Sequence, residues 1–295
     1  MKIYHLGIVG AGRWAENYCK TIAAMPNIEL VAMARRKNER PGFIPDTCKL
    51  YTDWQDFHRE KENLDGIIVA SIFTGTIAID YLYYDIPVLA EKPLLIDNDQ
   101  IESLTSRSKN KKLLVDYIHL FSPAFQKLKE IVDNKKILRI VSSGYGPSKT
   151  KEEFSSLWDY GPHDLSMILS LIDKDPDSIC ITNHIETKSG QTYCIDLDFG
   201  QIKTSSFVGN GAVNKSRYFS VWYEDNGKIS NIVYDDLSSC KLFIGDTKID
   251  FDYSKQPLTI AIENFLKMID SKSIDTFYVD LTIKITKILS TYEEQ

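Results

Sequence analysis

The first fifteen residues constrain the fold more than any other stretch. Residues 3–9 read as a buried strand, and Gly10-Ala11-Gly12-Arg13-Trp14-Ala15 follows without a spacer. Small or apolar residues then recur at Ala15, Tyr18, Cys19, Ile22 and Met25, the spacing of one helix face. A glycine-rich turn between a strand and a helix is where an open α/β sheet holds a dinucleotide. Gly10 permits the tight turn, Gly12 lets backbone approach a pyrophosphate, and Ala15 lets the helix lie close on the strand. The helix opens at Arg13 and Trp14, and its positive end suits the phosphates.

The second strand, 29–34, should end beside the adenosine ribose. A carboxylate there would accept from the 2′-hydroxyl and select NAD. The chain instead has Ala34-Arg35-Arg36, two guanidinium groups that suit a 2′-phosphate. The cofactor expected is therefore NADP, with NAD as the alternative. Further strands are predicted at 66–70, 87–90 and 113–115, with helices at 77–84 and 98–108 and Asp97 as a helix cap. Alternating strands and helices predict a doubly wound parallel sheet.

Bulk properties narrow the partners. The 295 residues fit two ordinary domains, and 43% hydrophobic residues support a full core. A net charge of −6 argues against a nucleic-acid or anionic-membrane binder, and no apolar run is long enough to span a bilayer. Five scattered cysteines without a CxxC pair predict reduced thiols, no zinc site and a cytoplasmic location. No metal site is expected.

Downstream, a helical pattern runs through Phe125, Leu128, Ile131 and Val132, followed by a strand at 137–142 and a polar loop at 144–153. Pro162 suits a first helical position, with Leu165, Ile168, Leu169 and Ile172 as the apolar face. That puts His163 in the first turn, where the positive helix end keeps its ring neutral, with Asp159 one turn earlier. From 179 onward strands are predicted at 179–185, 192–198, 202–208, 218–223, 231–234 and 240–244. Asp225-Asn226-Gly227 and Phe199-Gly200 suit hairpin links, and Asp196 and Asp198 a solvated face. Asn210-Gly211 and 214–217 read as an exposed loop, with reach to a substrate phosphate as the alternative, and two helices, 257–270 and 279–292, close the chain.

Four motifs stand in order: Gly10 to Ala15, Glu91-Lys92-Pro93, Tyr117 to Pro123 with its F-x-P ending, and Asp159 to His163. The set resembles the glucose–fructose oxidoreductase, inositol dehydrogenase and rhizopine-catabolism (Gfo/Idh/MocA) family, and weaker likeness continues through Tyr234-Asp235-Asp236 and Pro257-Leu258. The resemblance implies an N-terminal Rossmann domain at 1–118. It also implies an α/β domain with a large, mostly antiparallel open sheet at 119–295. Lys92, Asp159 and His163 would be catalytic and face the nicotinamide. Gly10, Gly12, Arg13, Trp14, Ala15, Arg35, Arg36, Ala70, Ser71, Glu91 and Lys92 would bind the cofactor. A cis Lys92–Pro93 bond and a homo-oligomer, dimer or tetramer, are implied as well.

Two places depart from the family pattern. Ile72 and Thr76 stand where a proline and a histidine are usual, and Leu120, beside His119, replaces an arginine. The activity implied is hydride transfer between nicotinamide and a hydroxyl or ketone. Leu157-Trp158-Asp159 and Tyr234-Asp235-Asp236 favour a sugar or nucleotide-sugar substrate over myo-inositol. The alternatives are reduction of a C=N or conjugated C=C bond, and a non-enzymatic NADP-sensing regulator.

Overall fold

The computed structural model describes residues 2–37, 39–71, 74–147, 155–187, 190–238 and 241–293. It divides into two compact units: Met1–Asp116 with Leu258–Thr282, and Tyr117–Pro257 with Ile283–Gln295. The sequence reading ends the first domain at 118 and gives everything later to the second, whereas 258–282 belong with the first unit.

In the first unit, β1 (Tyr4–Val9), β2 (Ile28–Ala34), β3 (Lys49–Tyr51), β4 (Gly66–Val69), β5 (Val88–Glu91) and β6 (Leu113–Asp116) form one sheet. It is parallel throughout, in the order β3-β2-β1-β4-β5-β6. Every residue of β4, β5 and β6 is buried, so these strands read as apolar runs rather than alternations. The helices α1 (Arg13–Ala23), α2 (Thr74–Tyr83) and α3 (Asp99–Ser108) lie between the strands in sequence. Asp97 caps α3 as expected: its carboxylate accepts from the Gln100 N–H at 3.0 Å, and Gln100 Oε1 accepts from the Ile96 N–H at 3.2 Å. Steric fit explains why 258–282 join this unit. Gly66 leaves room for Phe265, whose ring would lie 2.7 Å from a Cβ placed there. Asp270 accepts from the Lys2 ammonium at 2.7 Å and from the Tyr4 hydroxyl.

The second unit is built on eight strands: β7 (Lys136–Pro147), β8 (Ser178–Thr187), β9 (Gly190–Asp198), β10 (Lys203–Gly209), β11 (Gly211–Asp225), β12 (Lys228–Asp235), β13 (Lys241–Ile244) and β14 (Thr247–Lys248). Their order is β14-β13-β12-β11-β7-β10-β9-β8, antiparallel except for the β7–β10 pair. The β11–β12 link is the predicted hairpin, with Asn226 at φ 50° and Gly227 at φ 78°, the two positive values a tight turn of this kind requires. Asp196 is exposed on β9, as its alternation predicts. The helices α4 (Pro123–Val132) and α5 (Ser156–Leu171) belong to this unit. Of the closing helices, all of α6 (Pro257–Asp270) after Pro257 lies in the first unit, and α7 (Phe277–Glu293) is shared between the two.

Three expectations need correction. The strand predicted at 137–142 runs on to Pro147, so the first part of the polar loop is strand; 148–154 lie outside the described residues. The stretch 214–217 is part of β11 rather than a loop. The helix read from Pro162 starts at Ser156, with the proline inside it. Leu157, Trp158 and Gly161 are all buried, so the packed face begins a turn and a half before the proline. Pro162 then forfeits only the helical bond to the Trp158 carbonyl. Cys240 and residues Ile72 and Phe73 also fall outside the described residues.

Candidate functional site

The strand order of the first sheet reverses between β1 and β4, and at the carboxyl ends of these strands lies a groove of about 600 Å³. An open α/β sheet binds ligands at such a switch point. Gly10, Gly12, Arg35, Arg36, Ala70 and Ser71, all predicted, line it together. Gly10 has φ +119°, and a Cβ there would sit 2.1 Å from the Ala70 carbonyl oxygen, so only glycine fits. Gly12 is different. Its backbone is ordinary extended chain and a Cβ would meet nothing within 4 Å. Nothing among the described residues demands a glycine there, which fits a cradle kept clear for a ligand's phosphates at the start of α1.

Arg35 donates to the Glu39 carbonyl at 2.7 Å, which uses one of its five N–H groups and ties down the loop; Arg36 is exposed. Asp53 also lines the groove, its carboxylate accepting from the Gln55 N–H at 2.9 Å. Ala15 is fully buried, as close helix packing requires, while Arg13 and Trp14 are exposed in the first turn of α1 and do not line the groove. The residues present therefore fit a dinucleotide. A larger hollow of about 1160 Å³ elsewhere on this unit has its buried acid, Glu60, already satisfied by Lys49, Tyr51 and Asn63, so volume alone does not mark the site.

At the end of β5, Glu91 is buried, Lys92 is half-buried, and the Lys92–Pro93 peptide is cis as expected. The Glu91 side chain does not reach toward solvent. It hydrogen-bonds Tyr18, whose hydroxyl donates to Asp116 Oδ2 at 2.5 Å. Burial is the main cause that raises both carboxyls above the usual range; their mutual repulsion adds to it at Glu91, and Lys92 opposes it at both. Tyr18 and Asp116 were not foreseen, although an aspartate closing the apolar run Leu113-Leu114-Val115 was a readable signal.

In the second unit α5 carries Asp159 and His163 four residues apart, on one helix face. Asp159 is in the first turn, where the helix dipole favours a carboxylate. His163 lies about two turns in, so the dipole argument for a neutral ring does not hold. A missed neighbour emerges: the His119 ring meets the His163 ring edge-on at 5.2 Å. His119 Nδ1 lies 3.2 Å from the Tyr234 hydroxyl, which burial raises well above its ordinary range and so keeps protonated. The absent family arginine at Leu120, with a histidine beside it, was the available clue.

Asp164, next to His163, is fully buried and faces Arg217 Nη1 at 3.3 Å. Burial pushes its carboxyl up to about 6, against the pull of Arg217 and Ser142. Arg217, read from sequence as part of an exposed loop, is thus committed to an internal pair.

Known proteins share the fold. Residues 4–119 match the family model of the Gfo/Idh/MocA oxidoreductases, described as an oxidoreductase family with an NAD-binding Rossmann fold. Residues 4–119, which hold the six strands of the first unit, therefore carry an NAD-binding Rossmann fold similar to that of this oxidoreductase family. A putative oxidoreductase from Magnetospirillum magnetotacticum superposes with TM-score 0.86 at 25% identity, covering 98% of this chain and 99% of its own. A UDP-N-acetylglucosamine 3-dehydrogenase from Acidithiobacillus ferrooxidans gives 0.83 at 17% identity, over 99% and 97%. A variant 3-ketoreductase from Actinomadura kijaniata, in complex with TDP-benzene and NADP, gives 0.81 at 14% identity, over 99% and 98%. No curated protein sequence matches the chain. Among the described residues no helix is long and apolar enough to cross a membrane.

Proposed function

We propose that the chain is an NADP-dependent oxidoreductase that moves hydride between the nicotinamide and an oxygen-bearing carbon of a sugar or nucleotide sugar. The observation that carries this reading is the pairing, in one groove, of an open Gly12 cradle with Arg35 and Arg36 at the end of β2. Guanidinium groups match a 2′-phosphate in shape and charge and offer no acceptor to a 2′-hydroxyl. A nucleotide-sugar dehydrogenase and a ketoreductase holding NADP share the fold, which supports the substrate class.

NADPH when bound supplies the hydride. Lys92 holds a positive charge that stabilises negative charge on the substrate oxygen. His163 takes the proton from a hydroxyl in oxidation and returns it in reduction. Asp159, one turn earlier on the same helix face, orients the imidazole or accepts from a neighbouring substrate hydroxyl.

The test follows NADPH and NADH fluorescence over a panel of ketosugars and nucleotide ketosugars. Lys92→Ala should slow turnover by about 10²–10³-fold, the scale of one lost electrostatic stabiliser, with NADPH binding nearly intact. Wild-type turnover in that variant would remove Lys92 from the mechanism. Faster use of NADH than of NADPH would overturn the role given to the two arginines.

A further inference from the structure

We propose that Glu91, Tyr18 and Asp116 form a buried hydrogen-bonded chain whose two carboxyls hold one proton and one negative charge between them, and that Asp116 and Tyr18 are thereby positioning residues for Lys92. The inference rests on the proposed role of Lys92 and deepens it. Glu91 and Asp116 are direct partners in the β5–β6 register, so their side chains leave neighbouring strands about 5 Å apart. Tyr18 on α1 is fully buried and lies against both.

A phenol has one hydrogen to give. Its 2.5 Å contact with Asp116 has the length of a hydroxyl bonded to an ionised carboxylate. With that hydrogen spent, the tyrosine oxygen can only accept from Glu91, so Glu91 must bring its own proton. The surroundings agree. Both acids are at most 7% exposed, and each keeps one buried oxygen without a partner, Glu91 Oε1 and Asp116 Oδ1. Such a site cannot carry two adjacent charges. Burial holds both acids above their ordinary range, which supports the same count.

Among the described residues, the other titratable groups that act on this trio are Lys92, which faces both acids, and Tyr278 on α7, itself kept protonated by burial. Lys92 is the one cation among them. The single charge on Asp116 therefore favours the ammonium form of Lys92, and the rigid strand-end pair fixes where that ammonium leaves the sheet.

Two measurements on the full chain test this, neither of which needs the substrate. The first is the infrared difference between wild type and Glu91→Gln at pH 7. A neutral carboxylic-acid carbonyl band should be present in the wild type and missing from the variant. Persistence of the whole band in Glu91→Gln, or its absence from the wild type, would overturn the assignment. The second is the titration of Lys92, followed by NMR after reductive ¹³C-methylation, its signal assigned by loss in Lys92→Arg. In Asp116→Asn the midpoint should fall by about one pH unit or more. Tyr18→Phe should move it the same way by less, and circular dichroism shows whether each variant is folded. An unmoved midpoint in whichever variants fold would overturn the positioning role. The two readings fail separately: normal turnover by Lys92→Ala removes the catalytic role while the band and the midpoints still report the chain of hydrogen bonds.

Discussion

Two aspartates, one in each unit, are buried to the same degree and kept there by opposite means. Asp164 is matched by a guanidinium at 3.3 Å, and the sheet below it omits a side chain at Gly144 to let the pair form. Asp116 has a neutral phenol against it and a second acid beside it. The difference separates a charge held for architecture from one held for use. The ion pair with Arg217 joins α5 to the sheet and sets a cation directly against Asp164, although its Oδ1 finds no partner. A carboxylate bonded only to a hydroxyl still has field to spend on the half-buried Lys92.

The comparison is broken most severely by removing the cation. Arg217→Met strands a buried charge and should cost about 3–5 kcal/mol at pH 7 in urea unfolding. The native carboxyl already sits near 6, above its ordinary 3.8, so the folded state binds the extra proton in that window and this contribution favours folding as pH falls through it. Without Arg217 the carboxyl takes up its proton at still higher pH, so the deficit of Arg217→Met should shrink as pH falls toward about 6 and stay small below it, and a deficit constant from pH 8 to pH 4 would deny that Asp164 carries the charge. Gly144→Ala tests the same pair sterically. Its Cβ would lie 2.3 Å from Arg217 Nη1 and 2.4 Å from Asp164 Oδ2, and should cost about 1–3 kcal/mol by overpacking. The smallest effect belongs to the other unit. Tyr18→Phe, which keeps the ring and loses the hydroxyl, should cost about 1 kcal/mol of stability, because the acids can then share their proton directly. A loss as large as that of Arg217→Met would place Tyr18 in the same structural category and erase the contrast.

The first sheet was legible because its strands are short apolar runs separated by helix-period segments, and each glycine of the turn has one physical reason to be there. The second sheet was legible as strands but not in extent: β7 and β11 run past the points where polar residues made them look finished. Pro162 misled in a different way. Gly161-Pro162 looks like a helix boundary locally, and only the burial of Leu157 and Trp158 carries the helix across it. Arg217 looked solvated because its neighbours Asn214 and Lys215 are exposed; the partner that buries it, Asp164, is 53 residues away. His119, Tyr18 and Asp116 share that obstacle. Each acquires its meaning from a residue distant in sequence, and no local pattern encodes the meeting.

The return of residues 258–282 to the first unit has a consequence for how the protein comes off the ribosome. The six strands of that unit are all made by residue 116, yet Gly66 lacks the ring of Phe265, and Tyr4 and Lys2 lack the carboxylate of Asp270, until the chain has been extended by about 150 residues more. The nascent nucleotide-binding sheet must wait, partly uncovered, while the whole eight-stranded sheet is assembled. Chain order and folding order are therefore not the same: the unit begun first is completed only after most of the second has been made.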